Sequence, residues 1–105
     1  MSTPVVVLAY FRPAPGQRDQ VVQALRPAIS AVHQEPGCEL YAIHDAPDGT
    51  IVMIEKWASV GELDEHGNAE AVRALNVALY GLLASPVEVI RLSPVAAGTV
   101  EQGQL

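Results

Sequence analysis

Four short stretches of the chain alternate with a period of two, and in each both alternating sets are apolar. In the first, Val5, Val7, Ala9 and Phe11 interleave with Val6, Leu8 and Tyr10. In the second, Leu40, Ala42 and His44 interleave with Tyr41 and Ile43. In the third, Ile51, Met53, Glu55 and Trp57 interleave with Val52, Ile54 and Lys56, and in the fourth Val87 and Val89 interleave with Ile90 and Leu92. A strand with one face in water should be polar on that face. These stretches predict strands that meet apolar surroundings on both sides.

Between them the period lengthens. Val21, Leu25, Ile29 and Val32 fall at helical spacing and predict a helix over residues 17–34, with Pro27 inside it as a source of a kink. Pro13-Ala14-Pro15-Gly16 ends the first strand and Glu35-Pro36-Gly37 ends the helix. Asp45-Ala46-Pro47-Asp48-Gly49 reads as a hairpin turn. Ser59 followed three residues later by Glu62 is a capping-box pattern that starts a short helix from Val60 to about His66. Asn68 is then placed to cap a further helix over 69–83, with Val72, Leu75, Leu79 and Leu82 as its apolar stripe and Ser85-Pro86 as its stop. The predicted order is β-α-β-β-α-β, an α+β, ferredoxin-like arrangement with a four-stranded antiparallel sheet and both helical segments on one face.

That topology leaves the other face bare. Every strand is apolar there, so the exposed patch would exceed the ~300–600 Å² usual on a monomer. Its burial is worth about 25 cal/mol per Å². The expected outcome is a homodimer through the open sheet face, with ligand space where sheet and helices splay apart. Residues 1–95 form the predicted single domain. Residues 96–105, small and polar, read as a tail that is loose or packed on a partner subunit.

Composition narrows the function. The 105 residues carry twelve acidic and six basic side chains, for a formal charge of −6. That balance argues against nucleic acid and against anionic membrane surfaces as partners. Half of the residues are hydrophobic and the mean hydropathy is +0.21, apolar for so small a chain. Cys38 is the single cysteine, which excludes an intrachain disulfide and reads as a small buried hydrophobe. The N-terminal stretch has no basic segment and too short an apolar run for a span, which predicts a cytoplasmic protein without signal peptide or membrane helix.

Candidate chemistry sits at a few polar residues. His66 ends the short helix, with Glu62 one turn back to orient it, and a histidine there can act as a base or simply favour the helix end. Trp57 offers an indole N–H and a flat wall for an aromatic ligand, or serves as core. Glu55, between apolar neighbours, needs a partner, with Arg91 or Arg12 in reach along adjacent strands. Arg73, Asn76 and Tyr80 flank the apolar stripe of the last long helix as a pocket lip or an ordinary surface boundary. Tyr41 and His44 point to opposite faces of the second strand, so one of them faces the dimer side. His33 reads as a surface residue. The three histidines have no local metal-ligand spacing, and no phosphate loop, nucleophile elbow or dinucleotide fingerprint is present, an absence that fits chemistry with no metal and no cofactor and fits a non-enzyme equally well.

Together these stretches resemble a known family. Pro13-x-x-Gly16 after the first strand, Glu35-Pro36-Gly37-Cys38-x-x-Tyr41, His44 with Gly49, Glu55-x-Trp57-x-Ser59 and the following His66 are similar to the antibiotic biosynthesis monooxygenase domain of the dimeric α+β barrel superfamily. The resemblance implies a homodimeric barrel and oxygen insertion into an electron-rich aromatic, a quinol or an anthrone, often without metal or flavin. Its site would draw on His66 and Trp57 for catalysis and on Asn76, Tyr80, Tyr41, His44 and Arg73 for substrate. Haem-degrading relatives use a helical histidine, a tryptophan and an asparagine, and those places fall near Asn76, His66 and Ala9 here, so that route is not expected. The alternative function is a non-catalytic dimeric protein that binds a small aromatic ligand.

Overall fold

The computed structural model describes residues 3–105. Strand β1 (Val5–Phe11), helix α1 (Arg18–Val32), strands β2 (Cys38–Asp45) and β3 (Ile51–Trp57), helices α2 (Val60–Gly67) and α3 (Glu70–Ala78), strand β4 (Glu88–Leu92) and a terminal turn of helix α4 (Val100–Gly103) follow in that order. The four strands form one sheet in the order β2-β3-β1-β4, and each neighbouring pair is antiparallel. This is the ferredoxin-like arrangement that the period changes predict.

Local chemistry sets the joints. Gly49, at φ 90°, closes the β2–β3 hairpin, while the Asp48 carboxylate accepts from Thr50 N at 2.9 Å. Ser59 Oγ accepts from Glu62 N at 3.2 Å and donates to Glu62 Oε1 at 3.0 Å, which starts α2. Helix α1 runs through Pro27 without ending.

Two expectations are corrected here. Asn68 does not cap α3: it closes α2, its amide donates to Asp64 O at 3.2 Å, and Ala69 occupies the position before α3. An asparagine side chain satisfies whichever backbone group lies nearest, and here that is the preceding helix. Helix α3 also stops at Ala78 rather than Leu83. Gly81 takes φ 80° and turns the chain, so that Leu82 O and Leu83 pair with the Pro13-Ala14 segment.

The register explains the two-sided hydrophobicity. Val7, Glu55 and Tyr41 lie abreast across β1, β3 and β2, and Val5, Trp57 and Cys38 form the next row. This side faces the helices and is buried together with Val21, Leu25 and Val32 of α1, Leu63 of α2 and Leu75 of α3. The opposite side carries Leu8, Ile54, Ala42 and Ile90 abreast, with Val6, Tyr10, Val52, Leu40 and Leu92 around them. Along β1 and β3 this side is only partly buried at Leu8, Tyr10, Val52 and Ile54.

Candidate functional site

A polar cluster lies inside the helix-covered half. Its first member, Glu35, comes from the turn after α1. Gly37 bends that turn with φ 82°, and a Cβ at Gly37 would collide with the Glu62 side chain. Gly37 O also accepts from Ala58 N at 2.9 Å. The turn is thereby held against the start of α2, and Glu35 meets His66 at the far end of that helix.

His66 is 8% exposed, and its Nδ1 lies 2.8 Å from Glu35 Oε1. A carboxylate oxygen accepts, so Nδ1 carries a proton, and a lone pair is available on Nε2 when that nitrogen carries none. The imidazole stacks on Trp57 with centroids 4.6 Å apart and meets Tyr41 edge-on at 5.4 Å. Trp57 is fully buried, and its Nε1–H donates to Glu55 Oε1 at 2.9 Å. Glu55, 5% exposed, is the last member of the cluster.

Burial dominates the electrostatics. It raises the Glu55 carboxyl above its ordinary range, against the opposing pull of the Trp57 hydrogen bond and of His66. It also drives the Tyr41 phenol well up, with the charges of Glu55 and Glu35 adding to the effect, so Tyr41 stays a neutral hydroxyl. Cys38 is shifted up for the same first reason, so its thiol is a poor nucleophile.

The structure therefore brings His66, Trp57 and Tyr41 together and leaves the other candidates apart. Asn76 is exposed on α3, and Tyr80, 89% exposed, lies beyond its end. Arg73 folds back to donate to Asn68 O at 2.6 Å and to Glu70 Oε2 at 3.1 Å. His44 is exposed and belongs to the open side of β2, while Tyr41 belongs to the helix side. Glu62 does not orient His66, because the capping box at Ser59 occupies its carboxylate. The indole N–H of Trp57 is engaged by Glu55, so a substrate carbonyl does not find it free. Glu55 pairs with neither arginine: Arg12 binds Glu88 at 3.0 Å and Arg91 binds Asp64 at 2.8 Å. His33, exposed as expected, has a role after all, since its Nε2 lies 3.0 Å from Tyr41 O and donates to that carbonyl.

Glu35 is the member that sequence reasoning missed. Its partner is 31 positions away, so no helical or strand spacing links the two. The only available signal was its place at the head of the Glu35-Pro36-Gly37-Cys38 stretch.

Outside the cluster, His66 borders a surface pocket of about 200 Å³ whose rim includes Glu35, Glu62, Glu65 and Ala69. Three carboxylates at the mouth favour a neutral or cationic guest over an anion. Among the described residues no three His, Cys, Asp or Glu side chains are grouped to hold a metal ion, and no helix is long and apolar enough to cross a membrane.

Comparison with known proteins agrees with this architecture. The family model described as antibiotic biosynthesis monooxygenase matches residues 4–77. The chain is 33% identical over 95 residues to "Putative monooxygenase Rv0793" of Mycobacterium tuberculosis, covering 90% of this chain and 94% of that one. The solved structure of Rv0793 superposes with a TM-score of 0.84 at 31% identity, over 92% of this chain and 100% of the other. "Probable quinol monooxygenase YgiN" of Escherichia coli is 33% identical over 90 residues, covering 73% of this chain and 86% of that protein. The crystal structure of PA3566 from Pseudomonas aeruginosa superposes with a TM-score of 0.82 at 28% identity, over 91% and 98% of the two chains.

Proposed function

The chain belongs to the antibiotic biosynthesis monooxygenase family, and on that footing we propose that it oxidises a quinol, an anthrone or a related polyphenol with O2. The observation that carries this reading is the His66–Glu35 pair, held against Trp57 and Tyr41 in a largely dry setting. Glu35 keeps the Nδ1 proton in place, and Nε2 takes a proton from the substrate. The substrate anion gives one electron to O2, the two radicals combine, and the resulting peroxide loses water. An anthrone methylene and O2 thus become a carbonyl and water, with all the electrons supplied by the substrate. No cofactor enters this scheme. The protein contributes deprotonation, shape and exclusion of water.

The pocket beside His66 is smaller than the ~300–1,000 Å³ typical of small-molecule sites. The open sheet face supplies the reason to expect more walls. In this reading two copies pair through that face in the cytoplasm, and the tail after residue 95 reaches onto the partner. Its α4 turn is capped by Thr99 Oγ1, which accepts from Gln102 N at 3.1 Å, and Val100 and Leu105 remain exposed.

Oxygen uptake with a panel of quinols and anthrones, with and without added flavin or metal, tests the activity. His66→Ala is expected to slow turnover about a hundredfold or more while leaving the dimer intact. Unchanged turnover removes His66 from the mechanism. A second reading, a dimer that binds a small aromatic without turnover, is favoured by one fact: the Trp57 N–H and His66 Nδ1 are both satisfied within the chain. A thermal shift with the same panel and no oxygen uptake would identify it.

A further inference from the structure

Arg18, Val22, Arg26 and Ser30 recur at four-residue steps and so form one stripe of α1. That stripe overhangs the end of the β2–β3 hairpin. Between them lies a groove of about 390 Å³, within the range of small-molecule sites. Its floor is apolar: Val22 and Ile51 are buried, and Ile29 and Ile43 are partly so. Because β2 is an edge strand, the groove opens along the margin of the sheet rather than on its bare face.

The rim is basic in a chain of net charge −6. Arg18 is tied to Asp45, with Nε to Oδ1 at 3.1 Å and Nη2 to Oδ2 at 2.6 Å, which uses the one carboxylate that lines the groove. Arg26 makes no ion pair among the described residues, and neither does His44 beside it on the rim. One guanidinium is left over, with the Ser30 hydroxyl one helical turn further along.

We infer that this groove binds a small amphipathic carboxylate, an aryl or short-chain alkyl acid, with its charge on Arg26 and Ser30 and its body on the apolar floor. A guanidinium fork matches a carboxylate in plane and charge. A dianionic phosphate fits less well, because only one cation is unspent and Asp45 stands nearby. The site is separate from the reading given for His66. The two pockets share no lining residue, and their rims carry opposite charge, so an anion excluded from one is drawn to the other.

Titrating isotope-labelled protein with octanoate and with octan-1-ol, read by amide chemical shifts, tests this. Octanoate is expected to shift the amides of Arg26, Ser30, Ile43 and Asp45 saturably, and octan-1-ol to bind about tenfold more weakly, as a lost charge-assisted hydrogen bond implies. Arg26→Gln, at an exposed position that leaves the fold intact, should weaken octanoate about tenfold and leave octan-1-ol unchanged. Equal binding of the alcohol, an unaffected Arg26→Gln variant, no saturable shift, or shifts confined to the Leu8 and Ile54 side would each overturn the proposal. Groove amides that move with protein concentration alone would also overturn it, because a second copy would then be the occupant.

Discussion

The two faces of the sheet are equally apolar in composition and differ in what lies over them. On the helix side Val7 is 1% exposed and Met53 not at all, while beside them in the same strands the open-side residues Leu8, Val52 and Ile54 are only partly buried. One face is a finished core, built around residues that fit each other at close range. The other is a half-wetted layer, on which Leu8 and Ile54 stay partly exposed. Hydrophobicity alone does not make a core; a covering layer with matching shape does.

The polar residues divide in the same way. Those on the covered side are paired inside a dry cluster, as with Glu35 and His66 or Glu55 and Trp57. Those near the open side and the rim are exposed ion pairs such as Arg12 with Glu88, which contribute little. Function is therefore sought on the covered side and association on the open one.

Truncating matched residues tests the contrast most strongly. Met53→Ala is expected to cost about 2–5 kcal/mol of stability at any protein concentration. Ile54→Ala, its neighbour on the open side, should cost less, and the loss should shrink on dilution as a dimer dissociates. Equal, concentration-independent losses in chemical denaturation would break the comparison. At the next scale, Glu35→Gln should lower kcat about tenfold with KM nearly unchanged, because it loosens the ring that acts rather than the substrate. A change confined to KM would place Glu35 in binding instead.

A smaller effect concerns Glu55. Its carboxyl is raised by burial, so the folded state favours the protonated form. The stability this confers is present below the ordinary carboxylate range and is lost as pH rises through the raised value. Glu55→Gln keeps an acceptor for Trp57 and removes the charge. Relative to the parent it should therefore gain stability between pH 4 and pH 8, measured by denaturation at both values. A difference that does not vary with pH would mean that Glu55 is ionised without cost. Smallest of all, Arg91→Ala removes an exposed contact to Asp64 and should change stability by about 0.5 kcal/mol or less. A larger loss would show that β4 depends on α2 more than its exposure implies.

Element type and order as far as β4 were legible because they rest on local periodicity and on punctuation such as Pro13-Ala14-Pro15-Gly16 and Asp48-Gly49, whereas the short α4 in the tail was not. The two-sided strands were legible for the same reason, and so was the capping box at Ser59. Less legible were the ends of α3, where Gly81 turned the chain while the apolar spacing of Leu79 and Leu82 continued past it. Of the candidate site, His66, Trp57 and Tyr41 converge, and Arg73, Asn76, Tyr80 and His44 do not. Helical spacing showed which residues share a flank of α3, but not that this flank faces water.

By itself, then, the amino-acid sequence determined the strands, the helices and the surplus of apolar surface, since each depends on residues within a few positions of one another. Only the tertiary structure decided which carboxylate holds His66, where the Trp57 N–H goes and which cations stay unpaired. Those choices are made across turns and between layers. A hydrogen bond needs its partner within about 3 Å, and no pattern along the chain encodes a distance of that kind between residues far apart in it.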